Sequence, residues 1–90
     1  FPGWDKEHGG VLETSLMLSL FPDLVSMDCA VHHAPAVFPP YDVYPVKPEW
    51  TPASGTLSSP KEASAEKGEI LLEVCSAGIK EALLREFKEA

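Results

Sequence analysis

Proline sets the strongest limit on what this chain can fold into. Seven of its nine prolines, Pro35, Pro39, Pro40, Pro45, Pro48, Pro52 and Pro60, fall after residue 34. Each removes a backbone donor and pushes the residue before it away from the helical region, so the stretch from Pro35 to Pro52 cannot hold a long helix or a central strand. Phe38, Tyr41, Tyr44 and Trp50 are interleaved with these prolines. A flexible linker is poor in aromatics, so this middle reads as an ordered loop packed on a surface, of the kind a subunit interface supplies.

Regular structure is therefore expected only at the two ends. After Gly9-Gly10 the residues from Val11 to Phe21 are mostly apolar and are closed by Pro22, which predicts a short buried helix. Leu12, Leu16 and Leu20 recur every four residues, and Met17, Leu18 and Phe21 fill much of the remaining circumference, as in a helix surrounded by protein. Pro22-Asp23-Leu24-Val25 gives one further turn, and Ala30-Val31 is a candidate start for a short extended piece. Ser59-Pro60-Lys61-Glu62 combines an N-cap serine, a proline at the first helical position and a glutamate at the third, so the last helix is expected to start at Pro60. Glu66, Glu69, Glu73, Ser76 and Lys80 mark one side of it. Ile70, Leu71, Val74, Cys75, Gly78, Ala82 and Leu83 mark the other, which is expected to pack on a core. Glu81 and Arg85 form an i,i+4 pair of favourable sign, and Gly68 and Gly78 suggest close approach of a neighbouring backbone.

Two apolar-faced helices and a long loop, with no convincing strand, leave a layer missing. The natural candidate is a sheet supplied by further chain. The 90 residues, 44% of them hydrophobic, lie at the small end of single-domain sizes. The start at Phe1 rather than Met, in a loop-like Phe1-Pro2-Gly3-Trp4, gives the expectation of a portion of something longer. A net charge of −7, from 14 acidic and 7 basic residues without a Lys/Arg cluster, argues against nucleic acid as a partner. Neither a run of about 18 apolar residues nor a secretion signal is present in these residues. Cys29 and Cys75 are isolated, read as packing residues, and make a reducing cytoplasm the default compartment.

The densest polar constellation is Trp4-Asp5-Lys6-Glu7-His8-Gly9-Gly10. Histidine is the side-chain type suited to acid/base work near neutral pH, and Glu7, Asp5 or Glu13 are candidates to orient His8. Trp4 offers a plane to stack on a flat ligand, and the glycines let backbone amides approach it. The competing reading is an exposed loop with ordinary charges. Glu13 lies inside an apolar segment, where a carboxylate needs a partner, although an acid in the first turn of a helix is also favoured by the macrodipole. His32-His33 invites a metal reading, but adjacent side chains diverge and no carboxylate or cysteine stands at ligand spacing, so structural roles are favoured. There is no P-loop, GxGxxG, GxSxG or HExxH.

Taken in order, Phe1-Pro2-Gly3-Trp4-Asp5-Lys6-Glu7-His8-Gly9-Gly10 followed by Glu13-Thr14-Ser15-Leu16-Met17-Leu18 closely resembles the creatininase family, whose wider membership shows a similar His-Ala/Gly-Gly-x-x-Glu-Thr-Ser pattern. The resemblance continues through Pro22-Asp23-Leu24-Val25, Phe38-Pro39-Pro40-Tyr41-Asp42-Val43, Glu49-Trp50-Thr51-Pro52 and Ala63-Ser64-Ala65-Glu66-Lys67-Gly68-Glu69, nearly the whole chain. It implies an α/β fold in which residues 1–90 are the C-terminal portion of a single creatininase-like domain, an α/β/α sandwich on a mostly parallel sheet. It also implies a homohexamer and a site of two divalent metal ions, zinc or manganese, whose ligands lie in the N-terminal portion and not in these residues. The activity it implies is hydrolysis of the cyclic amide of creatinine to creatine. The resemblance places Trp4 over the substrate, Asp5 beside it and His8 at the substrate in proton transfer, and it matches Glu7 and Glu13 to family positions, with Glu7 as a substrate contact and Glu13 as a catalytic residue, or both only in support of His8. Two other readings remain open at this point: an amidohydrolase of the same family acting on another cyclic amide or a formamide, and a non-catalytic module that docks by its aromatic loop and apolar helices.

Overall fold

The structure, a computed structural model, describes residues 6–88. It consists of helix α1 (Val11–Leu20), helix α2 (Ala65–Glu86), and an irregular connection that carries short 3-10 turns at Pro22–Leu24, Met27–Cys29 and Pro48–Trp50. No strand forms among the described residues, and Ala30-Val31 does not begin one.

Helix α1 keeps the limits its sequence implies. Pro22 cannot continue it, and the Phe21 N–H closes the last turn on the Met17 carbonyl at 2.7 Å. Its burial is less complete than the all-round apolar pattern implies. Val11 and Ser15 are buried, but Leu20 and Phe21 are 51% and 55% exposed. These residues bring only α2 and part of the connection against α1, so the rest of its circumference has nothing to pack on.

Helix α2 starts at Ala65, not at Pro60. Ser59 Oγ accepts from the Lys61 N–H in a local serine turn, and the true N-cap is Ser64, whose Oγ accepts from the Lys67 N–H at 3.1 Å. The start is further held by a bond across 49 residues of sequence, from the Ser64 N–H to the Oγ of fully buried Ser15 at 3.1 Å. The two helices cross at Gly68. A Cβ there would run into the Ser15 carbonyl group and come within 2.7 Å of the Ser19 Cβ, so close approach requires glycine at this position.

The 10 residues of α1 rise about 15 Å and the 22 of α2 about 33 Å, so α2 overruns its partner. Gly68 is buried and Leu71 and Leu72 are half-buried, but Ile70, Val74, Cys75, Gly78, Ala82 and Leu83 are exposed. The expected packing of this apolar side on a core therefore holds only over the first turns. A Cβ added at Gly78, unlike one at Gly68, would meet no other element among the described residues within 4 Å. A radius of gyration of 16.4 Å, against about 12 Å for a compact domain of this length, expresses the same overhang.

The proline-rich connection is tied down by its aromatics and by His32 and His33. Tyr41 meets Trp50 edge-on at 6.3 Å, and the ammonium groups of Lys6 and Lys47 lie 4.3 Å and 5.0 Å from the ring centroids of Phe38 and Trp50. Tyr44, at 95% exposure, takes no part.

Candidate functional site

The N-terminus of α1 begins at Gly10, an N-cap without a side chain to satisfy the free amides of the first turn. Two carboxylates take over that task. Glu7 Oε1 accepts from the Glu13 N–H at 2.6 Å, and Glu13 Oε2 in turn accepts from the Gly9 N–H. The Thr14 hydroxyl adds a long bond of 3.5 Å to the Gly9 carbonyl. The result is a reciprocal clasp that resembles a capping box, with Glu7 in place of the usual serine. The positive end of the helix dipole favours both charges there.

A second segment supports this clasp from outside. The Leu57 N–H donates to the His8 carbonyl at 3.0 Å, and the Leu57 carbonyl accepts from the Ala36 N–H at 2.8 Å. Gly9 adopts a left-handed conformation, φ +66°, and a Cβ on it would lie 2.8 Å from the Thr56 Cγ2. Gly10 sits against Ser58 and Glu7, where a Cβ would strike both. Residues 56–58 thus meet residues 8–10 one against one.

His33 holds that segment in place. Its Nδ1 lies 2.7 Å from the Ala34 carbonyl and so donates, while its Nε2 lies 3.0 Å from the hydroxyls of both Thr56 and Ser54. His32 Nδ1 contacts the Ser59 hydroxyl at 3.1 Å. Both imidazoles of the pair thus have structural partners. Among the described residues no group of three or more His, Cys, Asp or Glu side chains gathers in a way that could hold a metal ion.

The clasp leaves the His8 side chain outside it. His8 is exposed and its imidazole makes no hydrogen bond to another described residue. Beside the loop, Gly9, Glu13, Thr14, Met17 and Leu24 border an open hollow of about 350 Å³. Of the residues singled out in the sequence, Glu7, His8 and Glu13 are thus brought to one helix end, with Glu13 bound to backbone and not to the His8 ring. Trp4 and Asp5 lie outside the described residues. Sequence reasoning missed Thr56, Leu57 and Ser58, for which no local signal exists: they reach the loop from almost 50 residues away.

This chain matches the family model for creatininase, described as creatinine amidohydrolase, over residues 2–83. It is 67% identical over 87 residues to the creatinine amidohydrolase of Pseudomonas putida, a match that covers 97% of this chain and 34% of that protein. Among solved structures, a crystal structure of creatinine amidohydrolase is 63% identical with a TM-score of 0.91, covering all of this chain and 35% of the other. A manganese form of creatininase and a mutant creatininase complexed with creatine are each 65% identical with TM-scores of 0.90, covering 99% of this chain and 35% of theirs. The chain spans about a third of the length of the relatives it matches. The long overhang of α2 and the doubly supported loop before α1 are therefore features of a backbone shared with much longer proteins. With the family model matched along nearly its whole length, the chain belongs to the creatininase family.

Proposed function

We propose that these residues are the C-terminal part of a longer creatinine amidohydrolase, in which they supply the loop that covers the substrate and the histidine that moves a proton. The observation that carries this reading is the match of nearly the entire chain to the Pseudomonas putida enzyme. In the longer protein the segment joins an α/β/α sandwich, whose sheet packs on the apolar side of α2, and the assembly is a hexamer of identical cytoplasmic subunits. The exposed apolar side chains of both helices support the missing layer.

Hydrolysis of a cyclic amide adds water to the ring carbonyl and breaks its bond to the ring nitrogen. That nitrogen must leave with a proton. In this reading His8 delivers it, and its exposed ring, with the residue held through its backbone carbonyl, is consistent with that role. Trp4 lies over the planar ring and excludes water, and Asp5 meets the partial positive charge of the guanidine-like end. Glu13 accepts from the Gly9 N–H of the peptide that follows His8, and Glu7 accepts from the Glu13 N–H and so holds Glu13 at the start of α1. In this reading the divalent ions, zinc or manganese, are held by the remainder of the enzyme.

The test is creatinine turnover by the longer protein, with and without chelation, alongside a panel of other cyclic amides and formamides. Turnover of creatinine that chelation abolishes supports the reading. A preference for another cyclic amide replaces the substrate, and no turnover of any leaves a docking module as the role of this segment.

A further inference from the structure

Two buried oxygens without hydrogen-bond partners lie beside Gly10. Ser58 is 2% exposed and its Oγ has no partner among the described residues, and the same holds for Oε2 of Glu7, although Oε1 of that carboxylate accepts from Glu13. Both oxygens press on the space that a Cβ of residue 10 would fill, so they approach one another across a single glycine. Their chemistry is complementary: a carboxylate oxygen offers only lone pairs, and a serine hydroxyl is a rotor carrying one proton. Leaving both unpaired away from water is the costly arrangement. We propose that Ser58 is a positioning residue, whose hydroxyl donates to Glu7 Oε2 directly or through one bound water and so fixes the carboxylate that caps α1 and holds the His8 loop.

The neighbouring contacts point the same way. Thr56 lies against Gly9 and the Leu57 N–H holds the His8 carbonyl, so Ser58 completes a three-residue brace along the loop. The inference rests on the reading that His8 moves the proton, and the two can be separated by experiment.

In the longer protein, Ser58→Ala and Ser58→Thr are compared by amide hydrogen exchange of the peptide covering residues 7–14 and by kcat and KM for creatinine. Ser58 borders a hollow of about 140 Å³ shared with Val11, His32 and Pro35, which leaves room for the threonine methyl. Ser58→Ala is expected to speed exchange at the Glu13 amide about tenfold and to lower kcat about tenfold with KM within about twofold, and Ser58→Thr to restore both. Unchanged exchange in Ser58→Ala overturns the contact whatever the chemistry. Failure of Ser58→Thr to restore what Ser58→Ala loses assigns the loss to packing and also overturns it. Faster exchange with unchanged kcat, in a protein that His8→Gln inactivates, overturns the positioning role and leaves the reading of His8 standing. If His8→Gln itself retains turnover, that reading falls and the catalytic half of the inference with it, while faster exchange still supports the Ser58–Glu7 contact.

Discussion

Gly10 and Gly68 do the same job at two places, allowing polar backbone and side-chain atoms to meet where a methyl group would keep them apart. They differ in what stands opposite. At Gly10 the obstacles are the ends of the Ser58 and Glu7 side chains, whereas at Gly68 they include the Ser15 main chain, which cannot swing aside. Gly68→Ala is therefore expected to destabilise the longer protein by about 2–3 kcal/mol in denaturant unfolding, and Gly10→Ala by about 1–2 kcal/mol with faster exchange of the Glu13 amide. Equal losses, or a larger one at Gly10, would contradict this ordering. The sequence made Gly68 suspect, because glycine inside a helical pattern lowers propensity and suggests a close neighbour. It treated Gly78 the same way, yet nothing approaches Gly78 among the described residues. The two differ only in what lies across from them, and no local pattern records that. Likewise Glu13 reads in sequence as a carboxylate in need of a partner, and its partner is the Gly9 amide four residues earlier.

At the scale of the element, the start of α2 separates local signals from tertiary ones. Ser59-Pro60-Lys61-Glu62 has the composition of a capping box, but the helix begins after Ser64, where Ser15 of α1 binds the Ser64 amide. Ser64→Ala is expected to cost about 1 kcal/mol in unfolding and Ser59→Ala less than about 0.5 kcal/mol. The reverse order would return the cap to Ser59. The far end of α2 carries the pair Glu81–Arg85 at 2.7 Å, with side chains 71% and 69% exposed. Solvent screens such a pair, so Arg85→Ala should change stability by less than about 0.5 kcal/mol, and any change should shrink as salt is added. Helix α1 was legible almost to the residue, since Gly9-Gly10 and Pro22 are strong punctuation that no distant contact overrides. The burial of α1 and α2 was not, because an apolar face announces that it needs a partner without saying whether these residues contain it.

For the whole molecule, an accessible surface of 6937 Å² stands against about 5,200 Å² for a compact monomer of this mass. Ile70, Val74, Ile79, Leu83 and Leu84 account for part of the excess along α2. The isolated chain is accordingly expected to melt without a sharp cooperative transition and to bind a hydrophobic dye, and a sharp two-state melt without dye binding would contradict that. The family was legible because the Trp4 to Gly10 loop and the segments after it form a resemblance spread over nearly the whole chain, whereas the brace of residues 56–58 behind His8 arises only in three dimensions. The most direct measurement is steady-state creatinine hydrolysis by the longer protein, as wild type and as His8→Gln. A fall in kcat of about a hundredfold or more with KM changed by less than about threefold is the expected result, since proton delivery acts on the departing nitrogen and not on binding. Wild-type-like turnover in His8→Gln, or no turnover of creatinine by the wild type with zinc or manganese supplied, would contradict it.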